Sequence, residues 1–407
     1  MLRVLFLTAM FLVVSLATAA VPKPFSDVHL SPYGFAKPMF IAVGPLPKDV
    51  EAPKEASIVN AKSDPAPEGF QFLKTADAAP DSGKIGLFLP NGAVLKIEKR
   101  RMMNAGSGTI ILKLAKSEKR PARTIELSGK ETFDYNELRR CAIERAAGSP
   151  YPPAKPELPI VPKGTLVIIG GGGTTAEISK RFLEAGGGED GHFVVLPISM
   201  PDPINVASEE RYLRRLGAKN VTVIPFREKK DLEDPKTIAI LKKATGLWFG
   251  GGRQWNFMDA YEGTQLPELF SDVLNRGGVI GGSSAGATIQ GDYMVRGAPA
   301  GPQIMMCEGY ERGLGFLPGV GIDQHFSARN RFKDLTAFVK RYPQFLGIGL
   351  DEATAIVVQG STAEIVGKGK VHFYDANKKR AEGEKDYDAY PEGTKYDLIK
   401  RKVLEKK

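Results

Sequence analysis

The chain has 407 residues and a formal net charge of +9, with only two cysteines and four histidines. Its densest basic stretches lack the interleaved aromatic residues that stack on bases, so nucleic-acid binding is not indicated. The cysteines and histidines form no cluster with metal-ligand spacing, and we expect no zinc site and no cofactor. Cys141 and Cys307 lie far apart in the sequence, which leaves open whether they form a disulfide.

The first twenty residues predict a secretory signal peptide. Arg3 precedes an apolar run from residue 5 to 16, and Ala17-Thr18-Ala19 is a small-x-small cleavage pattern. A membrane anchor is the alternative, but the run is short for a span, which needs about 20 apolar residues. The prediction is therefore a secreted or periplasmic protein with no stable membrane insertion.

Residues 21–148 predict a small β-rich N-terminal domain whose role the sequence does not reveal. Residues 84–89 and 109–114 are strand-like apolar stretches, and Pro90-Asn91-Gly92 is a turn signal typical of hairpins. Residues 135–147 have the pattern of one helix. No residue pattern in this region indicates chemistry.

A proline-rich linker at 149–163 precedes the predicted catalytic domain, residues 164–375, because proline disfavours both helix and central strand. Strands alternate with helices in this domain, which predicts a parallel sheet covered by helices, with ligands beyond the carboxyl ends of the strands. The predicted strands are residues 165–169, 193–197, 221–225, 246–249 and 279–282. The glycines at 170–173 are interpreted as a flexible turn, and residues 376–407 as a charged extension ending in helix or coil.

The stretch Gly282-Ser283-Ser284-Ala285-Gly286 fits the G-x-S-x-G pattern of a nucleophile elbow. In such an elbow Ser284 stands exposed on a sharp turn, and the N–H of Ala285 points at a developing oxyanion. A glycine-rich turn with a capping serine is the alternative. His325 is the histidine that follows a strand-like run among polar residues, and it is the candidate base.

Five segments in order resemble the cyanophycinase family of serine exopeptidases, which are relatives of the aspartyl dipeptidase peptidase E. They are LWFGGGRQ (247–254), GGSSAGA (281–287), GLGFLPG (313–319), DQHFSARNR (323–331) and GIGLDEATA (347–355). The resemblance covers about residues 160–375. It implies a flavodoxin-like three-layer α/β/α sandwich similar to class I glutamine amidotransferases, with serine in place of their cysteine.

The resemblance also implies roles for individual residues. Ser284 would be the nucleophile, His325 its base, and the backbone N–H groups of Gly252 and Ala285 the oxyanion hole. Six further positions match residues that line the family's substrate pocket: Gln254, Asp323, Gln324, Arg329, Arg331 and Glu352. Arg329 and Arg331 suit substrate carboxylates and Glu352 suits a guanidinium, as cyanophycin would require.

The chain departs from the family pattern in three places. Arg253 stands where the family has an acid, and the position of a third family arginine falls near Lys333-Asp334. The family's histidine-orienting acid lies between serine and histidine, but the matching stretch, residues 298–302, contains no acid. Asp292, Glu308 and Glu311 are the nearest substitutes, with Glu308 favoured, and a Ser–His dyad is the remaining alternative.

The predicted function is a secreted serine exopeptidase that hydrolyses acidic or β-aspartyl-linked, cyanophycin-like peptides through an acyl-enzyme on Ser284. Its partner is a peptide or polypeptide substrate, and whether the chain forms a homodimer is left open. One alternative is a catalytically impaired member that binds a peptide or surface ligand. Another is an unrelated esterase of α/β-hydrolase type, although His372 fits its late histidine poorly.

Overall fold

The structure is a computed structural model that describes Phe25, residues 28–148 and residues 151–405. The predicted signal peptide, residues 1–20, lies outside the described residues. No helix in the described part of the chain is long and apolar enough to cross a bilayer.

The described residues of the N-terminal region fold into two sheets and one helix around a core of their own. The first sheet has the order β2-β1-β5-β6-β9, with β1 Phe35–Ala42, β2 Ser57–Asn60, β5 Val94–Lys99, β6 Arg101–Asn104 and β9 Thr132–Asp134. The second has the order β3-β4-β7-β8, with β3 Phe70–Phe72, β4 Ile85–Phe88, β7 Ile110–Leu114 and β8 Arg123–Leu127. The two apolar stretches predicted to be strands are β4 and β7, which pair with each other. Helix α1, Tyr135–Ala146, is capped by Asp134 and packs Leu138 into the core between the sheets.

A nine-stranded sheet with the order β12-β11-β13-β14-β10-β18-β19-β22-β23 forms the centre of the rest of the chain. Its strands are β10 Val161–Ile169, β11 His192–Leu196, β12 Asn220–Val223, β13 Gly246–Phe249, β14 Val279–Ser283, β18 Thr354–Gly360, β19 Thr362–Gly367, β22 Lys395–Asp397 and β23 Lys402–Glu405. The five strands from β12 to β10 are parallel, and the remaining strands join antiparallel. The predicted strands and their parallel order are confirmed.

Helices cover both faces of this sheet. Alternate residues of β10 point to opposite faces, so Val167 packs with α2 and α3 while Leu166 packs with α5, α6 and α7. The helices are α2 Ala176–Ala185, α3 Val206–Arg215, α4 Lys229–Leu232, α5 Pro235–Lys243, α6 Gln254–Tyr261, α7 Leu266–Asn275, α8 Ala285–Thr288 and α9 Phe332–Arg341. The fold is therefore mixed α/β, with its polar loops at the carboxyl edge of the parallel strands.

A further five-stranded sheet, with the order β15-β16-β17-β20-β21, lies beside the nine-stranded sheet. They are β15 Gly291–Tyr293, β16 Leu317–Asp323, β17 Leu346–Leu350, β20 Lys370–Tyr374 and β21 Asp388–Pro391. The prediction that the C-terminal extension ends in helix or coil is wrong, because β21, β22 and β23 extend both sheets. Apolar residues within this charged segment explain the difference, since Tyr396 is buried and stacks on Phe373 with ring centroids 3.8 Å apart.

Buried charges join the N-terminal region to α6 and the loop after β15. Arg100 donates to Asp259 at 2.6 Å and to Asp134, and Arg140 pairs with Glu262. The hydroxyl of Tyr310 donates to Asp259 at 2.8 Å. Since Arg140 and Asp259 are each only 1% exposed, these charges are satisfied within the interface rather than by solvent.

Cys141 and Cys307 are both buried free thiols at this interface. Their sulfur atoms lie 3.2 Å and 3.6 Å from the same carbonyl oxygen, that of Glu308. The fold thus brings together two cysteines that are remote in sequence, and the structure contains no bond between them.

Candidate active site

Ser284 stands at the turn between β14 and α8, with φ 56° and ψ −112°, a strained backbone conformation for a residue with a side chain. The flanking glycines allow this turn. A Cβ at Gly286 would lie 2.1 Å from the carbonyl oxygen of Phe249, and one at Gly282 would lie 2.2 Å from that of Gly286. The backbone geometry is therefore that of the predicted nucleophile elbow, with Ser284 at its apex.

His325 reaches Ser284 from the loop that follows β16. Its Nε2 lies 2.9 Å from the Ser284 hydroxyl oxygen. Its backbone N–H donates to the carbonyl oxygen of Gly170 at 2.7 Å. A Cβ at Gly171 would lie 2.3 Å from the imidazole Cε1. The glycine turn after β10, interpreted from sequence as merely flexible, therefore gives the imidazole the space it occupies.

Glu352 completes a chain of three side chains, because its Oε1 lies 2.6 Å from Nδ1 of His325. An ionised carboxylate only accepts hydrogen bonds, so Nδ1 carries the hydrogen and Nε2 is free to accept from Ser284. Glu352 sits on the turn between β17 and β18, and its side chain is 44% exposed. The sequence instead predicts that this carboxylate binds a substrate guanidinium.

The prediction that Glu308 orients the histidine is wrong. Glu308 accepts from Arg145 at 2.5 Å in the interface with α1 and does not contact His325. The other two substitutes are also engaged elsewhere, since Glu311 accepts from Tyr293 and Asp292 from Tyr151. The missed signal was structural adjacency: β16, which leads to His325, pairs with β17, which leads to Glu352.

The surroundings of His325 favour its neutral form. Partial burial lowers the pKa of His325, and the positive charges of Arg329 and Arg331 act in the same direction. The hydrogen bond to Glu352 opposes them but does not reverse the shift. A histidine with a lowered pKa is deprotonated near neutral pH, as a general base must be.

The loop after β13 contains Gly252, one of the predicted oxyanion residues, and runs beside the elbow. A Cβ built on Gly251 would lie 3.5 Å from the Ser284 Cβ. The hydroxyl of Ser199 donates to the carbonyl oxygen of Gly251 at 2.7 Å, and the N–H of Arg253 donates to the carbonyl oxygen of Ser199 at 3.0 Å. Ala285 is the first residue of α8, so its N–H has no carbonyl partner within the helix. The loop after β13 therefore runs beside Ser284, and the N–H of Ala285 at the start of α8 is available as a donor.

Most of the predicted substrate residues are buried. Gln254 is 3% exposed and donates to the carbonyl oxygen of Val295. Gln324 is 4% exposed, with a side-chain oxygen that has no protein partner. Arg329 is exposed on the loop after His325.

Asp323 and Arg331 pair with each other, at 2.7 Å, so the expectation that Arg331 is free to grip a substrate carboxylate is wrong in this structure. Arg296, which sequence reasoning missed, donates to both oxygens of Asp323 and to Asp334 at 2.6 Å. Asp334 lies where the family's third arginine was expected. The cluster therefore balances two buried arginines with the buried Asp323 and the partly exposed Asp334.

No group of side chains among the described residues has the composition of a metal site.

The model of peptidase family S51 matches residues 166–366. The chain is 32% identical to a cyanophycinase from Geminocystis herdmanii over 52% of its length and 81% of the relative's length. It is 30% identical to a cyanophycinase from Trichormus variabilis over 53% and 75% of the two lengths.

Among solved structures, a peptidase from an acI-B1 Actinobacterium is similar over 58% of this chain and 97% of its own, with 20% identity and a TM-score of 0.45. The sequence matches show that the chain is a serine-type peptidase and belongs to peptidase family S51, the family of cyanophycinase and peptidase E.

Proposed function

We propose that the protein is an exported serine exopeptidase that hydrolyses acidic or β-aspartyl-linked peptides, cyanophycin-like in their backbone, through an acyl-enzyme on Ser284. The observation that carries the proposal is the continuous hydrogen-bonded chain from Ser284 through His325 to Glu352. Family membership supports peptide hydrolysis. The helix-covered parallel sheet supports a flavodoxin-like arrangement resembling class I glutamine amidotransferases, and the leader-like residues 1–20 support export.

The geometry suggests the order of events. His325 Nε2 takes the Ser284 hydroxyl proton as the serine oxygen attacks the scissile carbonyl. The N–H groups of Ala285 and Gly252 stabilise the resulting oxyanion. Glu352 stabilises the imidazolium, which then protonates the leaving amine. Water hydrolyses the acyl-enzyme by the same route in reverse, and the free serine is restored.

Two exposed arginines support an acidic substrate. Arg253 directly follows the oxyanion glycine, Arg329 lies on the loop after His325, and both residues are exposed. Glu352 is bonded to His325 and is therefore less suited to a substrate guanidinium. We accordingly favour substrates with carboxylates near the scissile bond over substrates carrying arginine side chains.

The alternative of a catalytically impaired, ligand-binding protein rests on the missing acid and on the appended N-terminal domain. Glu352 supplies an acid in contact with His325, which removes the first of these two grounds. An α/β-hydrolase esterase is overturned by the family match.

The test combines a fluorophosphonate serine probe with a panel of α- and β-aspartyl dipeptides and cyanophycin, followed by mass spectrometry of the products. Ser284→Ala should abolish labelling and lower turnover by roughly 10³-fold or more. Ser283→Ala is the matched control, because it removes a neighbouring hydroxyl outside the hydrogen-bonded chain. Full activity in Ser284→Ala would remove Ser284 from the mechanism.

A further inference from the structure

A second histidine–carboxylate pair lies directly behind the catalytic one. His372 Nε2 lies 3.2 Å from Oδ1 of Asp351, and Asp351 precedes Glu352 in the chain. The same Oδ1 accepts from the backbone N–H of Ser327 at 3.1 Å. Ser327 is two residues beyond His325, so the carboxylate of Asp351 connects the turn of Glu352 to the loop of His325.

The other oxygen of Asp351 ties the same turn to β20. Oδ2 accepts from the backbone N–H of Lys370 at 3.0 Å. Partial burial acts to raise the pKa of Asp351, but hydrogen bonds from His372, Ser327 and Lys370 together lower it to about 2. The carboxylate is therefore ionised at neutral pH and accepts from three N–H groups on two segments of chain, the loop after His325 and strand β20.

His372 is held in one orientation by its surroundings. It is 4% exposed and packs against the rings of Phe326, Phe332 and Tyr387, with centroids 5.1, 5.4 and 5.3 Å away. Nε2 must carry a hydrogen because Asp351 only accepts. Nδ1 is buried without a partner, so the imidazole makes its hydrogen bonds through Nε2 alone.

We propose that Asp351 and His372 are positioning residues that hold Glu352 against His325 and so pre-form the catalytic hydrogen-bond chain. Neither residue contacts Ser284. They act only by connecting the turn of Glu352 to the loop of His325 and to β20. This inference rests on the proposed function for its kinetic consequence, whereas its structural content, the His325–Glu352 bond, can be measured without any activity.

Asp351→Asn is the first test, because an amide nitrogen in place of one oxygen would face N–H donors. We expect the rate of Ser284 labelling by a fluorophosphonate to fall roughly tenfold. Glu352 raises the pKa of His325, against partial burial, Arg329 and Arg331. Loosening Glu352 should therefore move the acid limb of the pH profile of the labelling rate to lower pH.

Asp397→Asn is the matched control, since Asp397 is also a buried carboxylate that accepts two backbone N–H groups, those of Ile399 and Lys400.

The double variant separates positioning from general stability. In a Glu352→Gln background, Asp351→Asn should change neither the labelling rate nor its acid limb further. Additive losses, or an acid limb that stays in place in Asp351→Asn alone, would show that Asp351 supports the fold and not the catalytic bond.

His372 gives a second pair of variants should Asp351→Asn fail to fold. His372→Phe fills the aromatic cage without a donor and should lose roughly tenfold in labelling rate, whereas His372→Gln keeps an N–H donor and should recover most of it. Equal rates in the two variants would overturn the proposal.

Proton NMR of the Nδ1–H of His325 distinguishes failure of this inference from failure of the proposed function. A hydrogen bond as short as that to Glu352 should give a downfield resonance, which should weaken in His372→Phe and Asp351→Asn. Its persistence in both would contradict the inference even if Ser284 proved inactive, and its loss would support it in the same case.

Discussion

The active site and the interface with α1 are both built from ionised side chains, but they use them differently. At the interface, Arg140 and Asp259 are almost fully buried. Glu262 balances the charge of Arg140, and Arg100 balances that of Asp259. At the active site, Glu352 is 44% exposed and makes one short contact, to His325. The acid that we propose for catalysis therefore stands on a turn at the sheet edge, whereas acids paired with buried arginines hold the two regions together.

The largest expected effect lies at the interface. Asp259→Asn removes the negative charge that Arg100 and Tyr310 contact, and it should lower the free energy of unfolding by about 3–5 kcal/mol. Denaturant unfolding of the full chain measures it, while activity per folded molecule should change little. Asp190→Asn, which removes an exposed partner of Lys219, should leave the free energy of unfolding essentially unchanged. An equal loss in both variants would erase the contrast.

Glu352→Gln and Glu308→Gln test the contrast directly. Glu352→Gln should lower kcat/KM by about 10²-fold, or ~2.7 kcal/mol, because the imidazolium loses its counter-charge. Glu308→Gln should leave kcat/KM unchanged and lower the unfolding free energy, since it leaves Arg145 without its carboxylate. The reverse pattern would restore Glu308 as the catalytic acid.

The interface should also respond to pH. Burial raises the pKa of Glu144 from 4.5 to about 7, with Arg312 acting in the opposite direction. The pKa of Glu144 is higher in the folded state than in the unfolded state. The stability that protonated Glu144 contributes is therefore complete below pH 4.5 and is lost as pH rises through about 7. The free energy of unfolding should fall by up to about 1.4 kcal/mol for each pH unit between 4.5 and about 7. Glu144→Gln should flatten the profile, and an unchanged slope would exclude Glu144 as its source.

The smallest expected effect concerns substrate charge. Arg329→Gln should raise KM for an acidic peptide a few-fold, about 0.5–1 kcal/mol, because an exposed guanidinium is screened by solvent. Lys242→Gln is the control, since this exposed lysine near the end of α5 lies at the opposite edge of the sheet, where β13 begins. Equal KM values for acidic and neutral peptides in the native protein would show that Arg329 does not select charge.

The sequence was sufficient for the features that depend on local pattern. β-branched runs alternating with helices predict the parallel sheet, and the small residues around Ser284 predict the elbow. The acid could not be found in this way, because Glu352 approaches His325 only through the pairing of β16 with β17. Arg296 was missed for the same reason, since its contact with Asp323 depends on how the loop after β15 returns. The C-terminal strands were missed because a few tyrosines, not the prevailing charge, decide where that segment packs.

The glycine turn after β10 limits how this enzyme can be altered. A Cβ at position 171 would overlap the imidazole of His325, and one at position 172 would lie 2.5 Å from the Cβ of Glu352. In a saturation library, these two positions should therefore lose activity with almost every replacement, although neither glycine offers a side chain to the reaction. A mutational scan would report both positions as essential, because the side chains of His325 and Glu352 occupy the space that a Cβ would need.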